Sequence, residues 1–179
     1  RDFLKTMTMA SAGLALGAGD ILANPTFASQ RKITDKVKIA YVGIGNRGEQ
    51  IIGDFARTGM VEVVALCDVD MGAPHTQKVM NQYPKAKRFR DFRQMFDKAG
   101  NEFDAVAIAT PDHSHFPISM LALASGKHVY VEKPLARTFY EGELLMQAAL
   151  KRPNLVTQVG NQGHSEANYF QFKAWMDAG

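Results

Sequence analysis

The chain has one cysteine, one tryptophan and no apolar run long enough to cross a bilayer, and each shortage removes a class of protein. Cys67 stands inside a strand-like apolar run with no partner for a disulfide or a cysteine metal cluster, so it reads as a small core residue and no metal site is expected. The most leader-like stretch, in the first 30 residues, is short and interrupted by Asp20, which rules it out as a membrane span. Charge of neither sign dominates: 21 Lys and Arg stand against 18 Asp and Glu, a net +3 with a pI near 9.0. Part of the basic excess is the run Lys85, Lys87, Arg88, Arg90 and Arg93, which has no interleaved aromatics and no recognition-helix pattern. It reads as a solvated face, and nucleic acid is not an expected partner. There is no solenoid-type repeat. What is present is ordinary for a globular domain with one sizeable core: 179 residues, 46% hydrophobic and 22% charged.

Residues 1–30 differ in composition from the rest. Arg1, Phe3, Leu4 and Lys5 resemble the second half of a twin-arginine export signal, R-R-x-F-L-K, and lead into an Ala/Gly/Met/Leu stretch. The expectation is export to the periplasm. A disordered or amphipathic N-terminus on a cytoplasmic protein is the alternative. The chain starts at Arg1 and stops within or just after an amphipathic pattern, so a fragment of a longer protein is expected.

After the leader, strand-length apolar runs alternate with helical patterns. Strands are predicted over Val37–Val42, Val61–Cys67, Lys87–Phe89, Ala105–Ala109, His128–Val131 and Leu155–Val159. Helices are predicted over Arg47–Thr58, His75–Tyr83, Phe92–Ala99, Phe116–Ser125, Phe139–Leu150 and Glu166–Asp177. Such alternation marks repeated βαβ units, hence an α/β, doubly wound, mainly parallel sheet over 36–165. Residues 166–179 read as the start of a helix leading onward.

Gly43, Gly45 and Gly48 fall in the pattern G-x-G-x-x-G between the first strand and the first helix. In a dinucleotide fold the first glycine permits the tight turn, the second lets the backbone approach a pyrophosphate, and the third lets helix and strand pack closely. The free N–H groups at the helix start would hold the anion. The second strand ends at Asp68, 20 residues beyond Gly48, where a ribose-binding acid belongs. The alternative is an ordinary glycine turn with a surface aspartate. A carboxylate accepts from both ribose hydroxyls and repels a 2'-phosphate, so NAD is favoured over NADP, with Arg47 the one nearby cation that weakens the preference.

Strands four, five and six each run into a polar loop: Thr110-Pro111-Asp112-His113-Ser114-His115, Glu132-Lys133-Pro134 and Gly160-Asn161-Gln162-Gly163-His164. Ligands sit beyond the carboxyl ends of parallel strands, so three polar loops are expected to converge on one edge. A lysine at the buried end of a strand is costly unless it faces a cleft or a partner. Lys133 could thus hydrogen-bond a substrate hydroxyl and accept its proton, whereas the plainer reading pairs it with Glu132 in a surface salt bridge.

With these loops in place the chain resembles the glucose-fructose oxidoreductase and inositol dehydrogenase family, Gfo/Idh/MocA. The matching residues are Gly43-Ile-Gly-Asn-Arg-Gly48, Cys67-Asp-Val-Asp70, Ala109-Thr-Pro-Asp-His-Ser-His115 and Glu132-Lys-Pro134. The resemblance implies an N-terminal Rossmann domain followed by a second α/β substrate domain that is absent here. It also implies a homo-oligomer formed through that missing domain. By the same resemblance Lys133 contacts substrate and nicotinamide as the catalytic residue, and Asp68 holds the adenosine ribose. The cofactor-binding set is Gly43, Ile44, Gly45, Asn46, Arg47, Gly48, Asp68, Thr110, Pro111, His115, Glu132 and Lys133. Asn161, Gln162 and His164 are substrate candidates, although this loop departs from the family's phenylalanine-asparagine-x-arginine pattern. His113 is read as a loop residue. The expected activity is NAD-dependent hydride transfer with a sugar, polyol or glycoside. The alternatives are a glycosidase or lyase working by transient sugar oxidation, and a non-catalytic cofactor-binding regulator.

Overall fold

The computed structural model describes residues 35–179, apart from the side chains of His164 and Ser165. The leader-like segment lies outside the described residues.

Six strands form one sheet: β1 (Val37–Val42), β2 (Val61–Cys67), β3 (Lys87–Phe89), β4 (Ala105–Ile108), β5 (His128–Glu132) and β6 (Thr157–Gly160). Their order is β3-β2-β1-β4-β5-β6 and every pairing is parallel. Helices α1 (Arg47–Arg57), α2 (Pro74–Gln82), α3 (Phe92–Ala99), α4 (His115–Ala124), α5 (Phe139–Leu150) and α6 (Ala167–Ala178) follow the strands in turn. The order reverses between β1 and β4, where chain leaves the sheet in opposite directions and opens a crevice.

Alternation along β1 divides the core into two layers. Ile39 and Tyr41 face one side with Leu66, Ala107 and the α1 and α2 residues Ile51, Ile52, Val79 and Met80. Ala40 and Val42 face the other with Val106, Ile108 and residues of α3, α4 and α5, among them Met95, Ile118, Leu123 and Leu145. A sheet covered on both faces needs apolar residues at consecutive positions, which is why β2 ends Ala-Leu-Cys and β4 reads Ala-Val-Ala-Ile. Local signals set the helix starts. Asp91 Oδ1 accepts from the Arg93 N–H at 2.8 Å, and Thr138 and Glu141 form a reciprocal capping box before α5.

Strand six begins two residues later than the apolar pattern predicts. The Leu155 N–H is spent on the Arg152 carbonyl in the preceding turn, and the Val156 N–H goes to His128 Nδ1 and not to a backbone partner. Large apolar side chains remain exposed on α5 and α6, including Phe139, Tyr140, Phe170, Phe172 and Trp175.

Candidate functional site

The β1–α1 turn is built for close backbone approach. Gly43 has φ +80°, and a Cβ there would lie 2.6 Å from the Ala109 carbonyl carbon and oxygen. A Cβ on Gly48 would strike the Gly43 carbonyl, and one on Gly45 would strike the His75 ring. Asn46 takes φ +45°, a left-handed conformation at the last position before α1. Asp68 sits under this turn. Its Oδ2 accepts from the Ile44 N–H at 3.0 Å and its Oδ1 from the Asp70 N–H at 3.0 Å, which leaves each oxygen a further lone pair.

Gly43, Gly45, Asn46, Asp68, Thr110 and Pro111 line a cleft of about 610 Å³ at the carboxyl ends of β1, β2 and β4. Beside it lies a cleft of about 360 Å³ lined by Arg47, Thr110, His115, Glu132, Lys133 and Gln162. The three loops after β4, β5 and β6 therefore meet, as their polarity predicts. Thr110 borders both clefts, and its Oγ1 is buried without a hydrogen bond. A buried hydroxyl left unpaired is costly, and this one belongs to a residue that the two clefts share.

The second cleft is braced by side chains. Glu132, only 4% exposed, accepts on Oε1 from Arg47 Nε at 3.1 Å, from a second Arg47 nitrogen at 3.0 Å and from the Tyr130 hydroxyl at 3.2 Å. Burial alone would lower the pKa of the Arg47 guanidinium, but the bond and charge of Glu132 outweigh it and the net direction is upward. Burial, then the Glu132 charge, pushes Tyr130 up. Gly160 fits against this cluster: a Cβ there would lie 2.6 Å from Glu132 Oε1 and 2.7 Å from the Tyr130 hydroxyl. Gln162 closes it, its amide placed between Arg47 and the Gly160 carbonyl.

Several residues named as cofactor contacts also have partners within the protein. The Ile44 side chain is fully buried in the core and its N–H is taken by Asp68. Glu132 is committed to Arg47 and Tyr130, which also replaces the surface pair between Glu132 and Lys133. Arg47 borders the second cleft and not the one holding Asp68, so it does not supply the cation near the ribose acid. His115 is buried with both ring nitrogens engaged by carbonyl oxygens. Lys133 is exposed and lines the second cleft, just before its cis bond to Pro134. Asn161 donates its N–H to Val159 and is not among the lining residues, and the His164 side chain lies outside the described residues.

Sequence reasoning missed His75, Arg90 and Arg93, which border the Asp68 cleft, and read Arg90 and Arg93 as solvated. Their signal was position: Arg90 directly follows β3, at the carboxyl edge where ligands bind. The Cys67 thiol also borders this cleft. Burial, then the charges of Asp68 and Asp91, pushes it up to about 12. Among the described residues, no three His, Cys, Asp or Glu side chains gather as a metal site requires, and no helix is long and apolar enough to cross a membrane.

A glycine turn with an acid beneath it, at the reversal of a 3-2-1-4-5-6 sheet, is the geometry of a dinucleotide site, and comparison with known proteins agrees. The model of the Gfo/Idh/MocA oxidoreductase family, NAD-binding Rossmann fold, matches residues 37–160. The chain belongs to this family. Its Rossmann domain is therefore of the NAD-binding type, and the residues present fit that cofactor: a cradle that side chains would fill, an acid with free lone pairs and an unpaired threonine hydroxyl.

The chain is 30% identical over 145 residues to an inositol 2-dehydrogenase of Salmonella typhimurium, covering 80% of this chain and 42% of that protein. It is 29% identical over 160 residues to an alpha-N-acetylgalactosaminidase of Shewanella oneidensis, covering 79% and 34%. Scyllo-inositol dehydrogenase from Lactobacillus casei, solved with bound NAD(H) and scyllo-inositol, superposes with a TM-score of 0.69 at 27% identity over 81% of this chain and 42% of that one. The chain thus spans about two-fifths of the length of the inositol dehydrogenases it matches.

Proposed function

We propose that this protein is an NAD-dependent oxidoreductase acting on a CH–OH carbon of a sugar, polyol or glycoside. The observation that carries the reading is the placement of the exposed Lys133 in a cleft that shares Thr110 with the glycine-turn cleft. NAD, when bound, supplies a hydride acceptor at nicotinamide C4. The chain supplies the rest. Gly43 and Gly45 let the backbone meet the pyrophosphate, Asp68 accepts from the adenosine ribose, and Thr110 donates or accepts at the crossing between clefts. Lys133 meets the substrate hydroxyl and takes up or returns its proton, in a position held by the buried network below it.

The test is reduction of NAD by the full-length protein against a panel of inositols, aldoses and glycosides. Absence of NADH formation and of any NAD-dependent turnover would sink the reading. The likeness to the Shewanella glycosidase supports a second reading, transient oxidation that releases an aglycone and regenerates NAD. NADH accumulating one-for-one with product excludes that second route.

The leader supports export by a twin-arginine route, in which the domain folds and loads NAD in the cytoplasm before it crosses. Fusing the leader, with an arginine placed before Arg1, to a reporter should deliver it to the periplasm. A reporter confined to the cytoplasm rejects this.

A further inference from the structure

His115 has a role that the proposed reaction does not use. The ring is 1% exposed at the first position of α4. Its Nδ1 lies 2.6 Å from the Pro134 carbonyl oxygen and its Nε2 lies 2.8 Å from the Thr110 carbonyl oxygen. One of these carbonyls belongs to the loop that carries Lys133, the other to Thr110, which borders both clefts. A single buried ring therefore joins the end of β4 to the end of β5.

A carbonyl oxygen only accepts, and a neutral imidazole has one N–H, so a neutral ring satisfies one contact and turns a lone pair on the other. A doubly protonated ring donates to both. The charged and titratable groups around it are Glu132, Lys133 and Arg47 along the same cleft, and Asp112 and His113 in the short turn that leads into α4. The helix start, Lys133 and Arg47 oppose a cation there. Asp112, Glu132 and the two carbonyl oxygens favour it.

We propose that His115 is a positioning residue for Lys133, tying the β4 and β5 loops together through both ring nitrogens at once, each carrying a proton. The link to Lys133 rests on the function proposed above; the two-proton ring does not. The glycine turn and Asp68 are bonded elsewhere, so loss of the ring displaces Lys133 from Thr110 and leaves the grip on the adenosine half.

The deciding experiment is a side-chain ¹⁵N spectrum of the histidine-labelled full-length protein near neutral pH, alone and with NAD. Both nitrogens of His115 should show attached protons. One bare nitrogen overturns the proposal. In parallel, His115→Gln should lower kcat by about 10²-fold, the scale of a misplaced reacting group, with NADH affinity by fluorescence titration within about twofold of wild type. Unchanged kcat also overturns it. If that variant does not fold, the wild-type spectrum still decides, with the His115 signals assigned by elimination through single changes to Gln at His75, His113, His128, His164 and every other histidine of the full-length protein. A wild-type protein that binds NADH yet turns over no hydroxylated substrate removes the functional reading and leaves the ring spectrum to judge the clasp.

Discussion

The two clefts on either side of Thr110 are made in different ways. Around Gly43, Gly45 and Gly48 the site is made of backbone, kept open because side chains are missing. Around Glu132 it is made of side chains, with Arg47, Tyr130, Gln162 and His115 bracing the loop that carries Lys133. The first kind of site grips a group that every dinucleotide shares, the pyrophosphate. The second kind, in the function proposed above, would hold the Lys133 side chain in place for chemistry. A backbone site tolerates no added atom, whereas a side-chain site tolerates change as long as no charge is left alone.

The contrast is open to direct attack. The largest effect is expected from Gly43→Ala, which combines left-handed strain with a clash against the Ala109 backbone. It should cost about 2–5 kcal/mol in chemical denaturation and abolish measurable NAD binding. A folded variant that binds NAD normally would show that the backbone cradle is not needed.

Next comes Arg47→Met. It leaves the Glu132 carboxylate buried with only Tyr130 beside it and should cost about 3 kcal/mol. Adding Glu132→Gln should restore most of that. Additive losses in the double variant would mean that the pair is not the brace.

Lys133→Ala should lower turnover by about 10²-fold with NAD affinity almost unchanged, since the ammonium lies outside the first cleft. Wild-type turnover would take Lys133 out of the mechanism.

The smallest effect is Asp68→Ala, which should narrow the preference for NAD over NADP by about tenfold. Binding of NADP as tight as NAD in the unmodified protein would defeat the argument for the ribose acid. The same change also removes the bond to the Ile44 N–H, so a modest loss of stability is expected with it.

The same contrast explains what could be read from the residues alone. Strand and helix positions followed from apolar period and turn chemistry, both local properties, and the parallel direction followed from their alternation. The glycine turn was legible because a backbone site declares itself by the residue type it requires. The brace was not. Arg47 and Glu132 are 85 positions apart, and nothing local says that the guanidinium crosses from the glycine turn to the end of β5. The partners of Ile44, Glu132 and His115 within the protein were hidden for the same reason: motif position gives proximity to a ligand, while the direction a side chain takes depends on packing. Strand six slipped by two residues because Leu155 and Val156 carry a strand pattern, but the first spends its N–H in a turn and the second on the His128 side chain.

The solitary thiol of Cys67 gives the molecule a built-in clock. It sits under the floor of the Asp68 cleft, 2% exposed, and burial with two nearby carboxylates keeps it protonated through the physiological range. Thiol reagents attack the thiolate, so labelling must wait for the end of β2 to open. With no second cysteine in the sequence given, any label taken up by these residues reports one event at one place. A dinucleotide lying across the cleft should hold that door shut, and the ratio of labelling rates without and with it would measure how tightly, with no substrate needed.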